Sequence, residues 1–447
     1  MGLGDGCIVV IGCDAGGLAS LTPASLERLR RAELIASPSR LLAELRAWLA
    51  SPAPAAAPIS PEPTAAATPG AVATAGSRTV PELLASDQLA RLLPALQRAH
   101  ADQRRIVVLA SGDPLWFGIG RWLLQHFPAD QLRFQPSPSA LQLAFARLGR
   151  PWQDAAWISL HGRDPEPLAA RLQQRPPALA VLTDPQRGGA DAVRQLLRAS
   201  GLEAAYQLWL AERLGHPQER FQRLEPADPL PADLDPLHLV LLIAAPAAAP
   251  DPQTLPLFGL EDGLWLQHPD HPGLMTKREV RIQLLADLEL PQQGVLWDLG
   301  AGVGSVGLEA LRLRPALELW AVERRLGGAA LIRANAERLA VRPTAILESD
   351  ALDALDALPD PDRVLLGGGG RQRAALLAAL LPRLRPQALV VIPLASLEPL
   401  AELRQHLEGS GLGVRISQLQ AWRGAPLAEG TRLAPLNPVL VVCGRKR

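Results

Sequence analysis

Few of this chain's residues staple, bind metal or fill aromatic cores. Its 447 residues include three cysteines, two methionines, one tyrosine and six phenylalanines. Cys7, Cys13 and Cys443 have no metal-ligand spacing, and so low and odd a count suits a reducing compartment rather than a disulfide framework. Cys7 and Cys13 flank an apolar run and read as small core residues. Net charge is lacking too, since 45 basic residues balance 45 acidic ones. No bulk field then draws the chain to nucleic acid or to an anionic membrane. The longest apolar run, 239–245, falls far short of the roughly 20 residues that span a bilayer. No basic segment followed by a long apolar stretch opens the sequence, so no signal peptide is expected. The expectation is a cytoplasmic protein with no metal, nucleic-acid or membrane partner.

What is present is alanine, leucine, arginine and proline in excess. Residues 51–76 are almost entirely Ala, Pro, Thr and Ser, which cannot build a core, and are expected to form a disordered insertion. Residues 245–257 form a stiff Pro-rich linker between domains 1–244 and 258–447. Both halves alternate strand-like and helix-like segments, the signature of an α/β fold with mainly parallel sheets. Strands are expected at 7–11, 106–110, 157–160, 178–182 and 238–243, then at 295–298, 319–322, 344–347, 363–366, 389–392 and 439–442, with helices between them.

The most informative segment is Val295-Leu-Trp-Asp-Leu-Gly-Ala-Gly-Val-Gly-Ser305. A strand runs into a glycine turn and then into a helix N-terminus. Gly300, Gly302 and Gly304 let backbone approach a ligand with no Cβ in the way, and free N–H groups at the helix start favour an anionic group. Glu323 ends the next apolar run, placed to accept hydrogen bonds from ribose hydroxyls. Gly302-x-Gly304-x-x-Gly307 also fits a dinucleotide fingerprint, so an oxidoreductase stands as one alternative and a non-catalytic two-domain cofactor-binding protein as another. Asp298, just before the turn, favours a ligand bringing positive charge, as S-adenosylmethionine does; a pyrophosphate would be repelled. The pattern resembles motif one of the Rossmann-like methyltransferases.

In the first half, Val9-Val-Ile-Gly12 and Ile106-Val-Val-Leu-Ala-Ser-Gly-Asp-Pro114 each end a strand in a loop. Pro136-Ser-Pro-Ser139, Leu160-His-Gly-Arg163, Leu182-Thr183 and Glu212-Arg-Leu-Gly215 follow other strands. Together they resemble the tetrapyrrole (corrin/porphyrin) methylase family. The resemblance implies a two-lobed fold and an S-adenosylmethionine cleft involving Gly12, Gly112, Asp113 and Pro114, with Ser139, Thr183 and the Glu212 loop nearby. His161 and Arg163 lie in a segment similar to the subgroup that methylates precorrin at carbon 5, which implies substrate contact. His161 reads equally as a loop histidine bonded to backbone.

In the second half, Thr276 followed by Glu279 forms a capping box that would open a helix over 277–288. The segment Met275-Thr-Lys277 also resembles the decarboxylating precorrin methyltransferases, in which this threonine approaches the cofactor. Asp350 and Ala351 follow a strand and are placed to contact adenine, while Asp350 reads equally as a solvated helix cap. Gly367-Gly-Gly-Gly370, including Gly368, replaces the Asn- or Asp-Pro-Pro-Tyr of nitrogen-methylating enzymes and leaves room for a planar carbon nucleophile. Lys277, Arg278 and Arg281 are candidate partners for substrate carboxylates.

The whole order resembles the fused decarboxylating precorrin methyltransferases. That resemblance implies a tetrapyrrole methylase fold followed by a Rossmann-like class I methyltransferase fold, with S-adenosylmethionine as cofactor. It implies methylation of a precorrin macrocycle at carbons 5 and 15, loss of the carbon 12 acetate carboxyl, and a homo-oligomer. The 51–76 insertion and Ser37-Pro-Ser-Arg40 depart from the family's pattern.

Overall fold

The computed structural model describes residues 7–51, 80–162, 166–225, 228–245, 249–367, 370–427 and 430–447. The expected disordered insertion lies outside the described residues from 52 onward, as do 246–248 of the linker and the site candidates Arg163 and Gly368. The chain divides into two compact units, Met1–Trp152 with Ala211–Phe221, and Gln153–Leu210 with Gln222–Arg447. Packing thus groups 153–210 with the C-terminal sheet.

The first unit holds β1 (Ile8–Cys13), β2 (Leu34–Ser37), β3 (Glu82–Ala85), β4 (Ile106–Ser111) and β5 (Leu132–Gln135). They form a parallel sheet in the order β3-β2-β4-β1-β5. Strands β1 and β4 read as continuous apolar runs because both faces are covered. Ile8, Val10, Ile106 and Val108 pack on one face, and Ile11, Val107 and Leu109 on the other. Thr22 caps the helix Pro23–Arg31 by accepting the Ser25 N–H at 3.2 Å.

The second unit contains a mixed sheet of β6 (Ala155–Ser159), β7 (Ala178–Leu182), β8 (Tyr206–Glu212), β9 (Arg220–Leu224) and β10 (His238–Ala244), in the order β6-β7-β10-β8-β9. It also contains β11 (Gln293–Leu299), β12 (Ala316–Glu323), β13 (Ala345–Glu348), β14 (Arg363–Leu366), β15 (Leu389–Leu394), β16 (Leu412–Leu419), β17 (Trp422–Leu427), β18 (Gly430–Pro435) and β19 (Val439–Lys446). Seven of these form a sheet in the order β13-β12-β11-β14-β15-β19-β16, and β17 and β18 pair as a hairpin. The strands from β13 to β15 run parallel, while β19 is antiparallel to both its neighbours.

Chain order reverses on either side of β11, which makes its carboxyl end a topological switch point, where ligands bind in open α/β sheets. The α/β expectation holds, and every expected strand is present. After β15 the expected alternation with helices stops. One helix, Leu400–Gly409, is followed by four antiparallel strands. Strand β16 is largely exposed or half-buried and so carries no continuous apolar run to announce it. Among the described residues, no helix is long and apolar enough to cross a membrane.

Candidate functional site

The glycine turn after β11 is built from positive backbone angles. Gly300, Gly302 and Gly304 have φ of 78°, 61° and 79°, and Gly304 is the N-cap of the helix Ser305–Leu313. The N–H groups of Gly300 and Ala301 both donate to the Val322 carbonyl, at 2.9 and 3.0 Å, anchoring the turn to β12.

Asp298 sits behind this turn. Its carboxylate is buried and accepts the Gly307 N–H at 3.2 Å. Burial pushes its pKa up to about 7; the Gly307 bond opposes the rise and the charge of Glu323 adds to it. Asp298 ties strand to helix and lines neither cavity described below.

Glu323, buried at the end of β12, accepts the Gly302 N–H at 2.7 Å and the Arg325 N–H at 3.0 Å. It lines a cavity of about 150 Å³ with Gly300, Asp350, Ala351, Gly367 and Gln372. Asp350 caps the short helix Ala351–Ala354 through the Leu352 N–H at 3.0 Å. Glu323 and Asp350 offer carboxylate acceptors to hydroxyl donors, and Arg324 and Arg325 line the same cavity. These carboxylate acceptors fit the hydroxyls of a ribose.

A second cavity, of about 450 Å³, shares Gly300 and Gly367 with the first and also reaches Gly302. Thr276, Lys277, Ser305, Asn437 and Gln173 supply its polar lining. Lys277 is one of only two lysines in the chain. Its Nζ donates to the Gly273 carbonyl at 3.0 Å, and burial lowers its pKa. The side-chain groups of Thr276, Ser305, Asn437 and Gln173 have no hydrogen-bond partner among the described residues, so the cavity presents several unused polar groups. Arg325 lines both cavities.

The capping box at Thr276 is not formed. The helix is Arg278–Asp287, its N-cap is Lys277, and no side chain of the cap bonds back. The carboxylate of Asp262 instead accepts the Arg278 N–H at 3.0 Å. Glu279 points elsewhere, pairing with Arg423 at 2.8 Å. A partner distant in sequence displaced the local cap, which leaves the Thr276 hydroxyl to the cavity.

The neighbouring arginines do not reach the cavity. Arg278 donates to the Gly259 carbonyl at 2.7 Å and pairs with Glu261 at 3.5 Å. Arg281 is fully buried, pairing with Asp262 at 2.8 Å and Glu309 at 2.9 Å while donating to the Thr276 carbonyl at 2.6 Å. It belongs to the scaffold beneath Thr276.

In the first unit, Gly12, Gly112, Asp113, Pro114 and Ser139 gather at the carboxyl ends of the strands. The Gly112 N–H donates to the Cys13 carbonyl at 2.6 Å. A Cβ on Gly12 would lie 2.8 Å from the Ser137 nitrogen and strike the Gly112 carbonyl, so the two loops touch through a bare backbone. Asp113 turns the loop by accepting the Leu115 N–H at 2.9 Å, and buried Pro114 accepts Gly120 N–H at 2.9 Å. Ser139 forms a complete capping box with Gln142.

In the second unit, the Thr183 hydroxyl donates to the His238 carbonyl at 2.8 Å. His161 is exposed, and the next residue, Gly162, donates its N–H to Asp184 at 2.8 Å. That bond, more than the nearby His161 and Arg187, holds the Asp184 carboxyl below its usual range. Sequence reasoning missed Gln173, Arg325 and Asn437. Arg325 had a signal, standing two residues after Glu323; Gln173 and Asn437 had none nearby.

The sequence profile of the precorrin methyltransferase domain matches residues 268–446, and that of the tetrapyrrole (corrin/porphyrin) methylases matches residues 7–227. A precorrin-6Y C(5,15)-methyltransferase (decarboxylating) from Sinorhizobium sp is 33% identical over 75% of this chain and 78% of its own length. A protein of the same name from Mycobacterium tuberculosis is 31% identical over 97% of this chain and 98% of its own. A cobalt-precorrin-6B C(15)-methyltransferase (decarboxylating) from Salmonella typhimurium is 33% identical over 42% of this chain and 96% of its own.

Proposed function

Because the chain belongs to the precorrin-6Y C5,15-methyltransferase (decarboxylating) family, with a relative matching nearly its whole length, we propose that it methylates a precorrin macrocycle at carbons 5 and 15. In this reading it also removes the carboxyl of the carbon 12 acetate, within cobalamin biosynthesis. Residues 1–244 act at carbon 5, and residues 258–447 at carbon 15 and in decarboxylation. Family membership replaces the oxidoreductase and scaffold alternatives.

The observation that carries the reading is a pair of cavities sharing Gly300, Arg325 and Gly367, the smaller presenting the carboxylates of Glu323 and Asp350 and the larger roomy. S-adenosylmethionine, when bound, supplies an activated methyl group on a sulfonium. Glu323 and Asp350 hold the ribose and adenine end, Ala351 packs beside them, and the Gly300–Gly304 backbone sets how closely a ligand approaches. Asp298 keeps the turn in register. The Thr276 hydroxyl bonds at the boundary between cofactor and substrate. Lys277 offers its remaining N–H donors to a substrate carboxylate.

The apolar wall of the larger cavity, including Val280, Leu394 and Val439, excludes water and fits a planar ring. The ring itself delocalises the electrons left by decarboxylation, so the protein's task is alignment of nucleophilic carbon with methyl donor. In the first half, Gly12, Gly112, Asp113, Pro114 and Ser139 serve the second cofactor molecule, and His161 with Arg163 are assigned to the substrate, as the family resemblance implies. The reading has the chain working as a cytoplasmic homo-oligomer on a small molecule, with no metal, nucleic acid or membrane involved.

Incubation of the full chain with precorrin-6Y and methyl-labelled S-adenosylmethionine tests the reading by mass spectrometry. Gain of two labelled methyl groups with loss of one carbon dioxide is expected. A product with one methyl and an intact acetate would contradict it.

A further inference from the structure

The larger cavity of the C-terminal half has a wall from outside that half. Gln173, the last residue of the helix Glu166–Gln173, lines it beside Thr276 and Lys277. The segment is held there tightly. Gly273 has φ of 80°, and a Cβ on it would strike the Gln173 carbonyl. Two residues on, Arg175 donates to the Asp262 carbonyl at 3.1 Å. The Gly263 N–H donates to the Gly201 carbonyl at 2.7 Å, and Arg423 donates to the Ser200 carbonyl at 2.6 Å while pairing with Asp262 and Glu279. Hydrogen bonds and buried ion pairs therefore fix the position of Gln173 relative to the glycine turn.

The charges along this seam favour an acidic ligand. Arg281 and Arg423 are matched by Asp262, Glu279 and Glu309 through direct ion pairs. Lys277, the seam cation that lines the cavity, bonds only a backbone carbonyl. The amide of Gln173 adds an N–H donor on the same wall, and it has no partner among the described residues.

Resting on the functional reading above, we propose that Gln173 is a specificity-determining contact of the C-terminal site, supplied by the other half of the chain, whose amide donates to a carboxylate of the macrocycle. The relative from Salmonella typhimurium aligns 96% of its length with 42% of this chain, which leaves room for one half only. A C-terminal half standing alone lacks this contact.

The test uses full-length Gln173→Ala and Gln173→Glu, measuring KM and kcat for carbon dioxide release and the affinity for S-adenosylhomocysteine. Loss of one hydrogen bond to a charged group predicts a rise in KM of about tenfold for Gln173→Ala. A larger rise is expected for Gln173→Glu, which sets like charges together, with kcat and S-adenosylhomocysteine affinity unchanged in both. KM within about twofold of the parent in both variants would overturn the proposal. If Gln173→Ala fails to fold, Gln173→Met, close in volume, gives the same readout. A parent enzyme that releases no carbon dioxide overturns the functional reading itself, a result separate from any effect at Gln173.

Discussion

The carboxylate of Glu323 accepts the backbone N–H of Gly302 at 2.7 Å. An acidic residue at the end of β12 thereby holds the glycine turn at the end of β11; Glu323 borders the smaller cavity, and the turn borders both. Ligand recognition and loop geometry are linked through this one side chain.

Glu323→Ala removes both functions. Losing hydrogen bonds to a charged acceptor costs about 1.5–3 kcal/mol each. S-adenosylhomocysteine should bind the C-terminal half about 10- to 100-fold more weakly, while the other half keeps its affinity. Calorimetric titration reads both sites, and unchanged affinity at both would refute the role given to Glu323.

Lys277→Met tests the carboxylate contact. The substitution keeps an apolar stem of similar reach and removes the charge. KM for the macrocycle should rise by about 10- to 100-fold, matching the loss of a charge-assisted hydrogen bond. S-adenosylhomocysteine affinity should stay the same. Equal KM values for variant and parent would remove Lys277 from the substrate site.

Much of the site was legible because it is local. Strand β11, its glycine turn and Glu323 lie within 31 residues, and each carries its own signal: an apolar run, alternating glycines, an acid at a strand end. The strands β1 and β4 were legible for the same reason. The failures are non-local. Thr276 and Glu279 have the spacing of a capping box, yet Asp262 caps the helix, and Arg423, 144 residues away, takes Glu279. Arg281 looked like one more basic residue on a helix face until Asp262 and Glu309 closed over it. Gln173 enters the cavity only because Arg175 and Arg423 lock the seam, and no window of sequence contains those partners.

Arg281→Met should strongly destabilise the second unit. The substitution leaves the carboxylates of Glu309 and Asp262 buried, and Glu309 without its paired guanidinium. Breaking one side of a buried ion pair costs about 3–5 kcal/mol. Urea unfolding should show a loss of that size, and a loss below about 1 kcal/mol would mean the network is solvent-screened.

Asp298 gives stability a pH dependence. Burial raises its pKa from 3.8 to about 7, so across that interval the folded chain keeps a proton that the unfolded chain releases. The folded state binds more protons, and stability therefore falls as pH rises from 4 toward 7, levelling off above it. Asp298→Asn keeps an acceptor for the Gly307 N–H and removes the titration. The variant's stability relative to the parent should be greater at pH 8 than at pH 5, as read from urea midpoints. An equal difference at the two pH values would contradict the buried, proton-holding carboxyl.

In the proposed function, one chain carries two cofactor sites on two different folds. Calorimetric titration of the purified full-length protein with S-adenosylhomocysteine tests it most directly. Two equivalents bound per chain are expected, one of them weakened selectively by Glu323→Ala. A single equivalent, or one abolished together with all binding by that substitution, would contradict it.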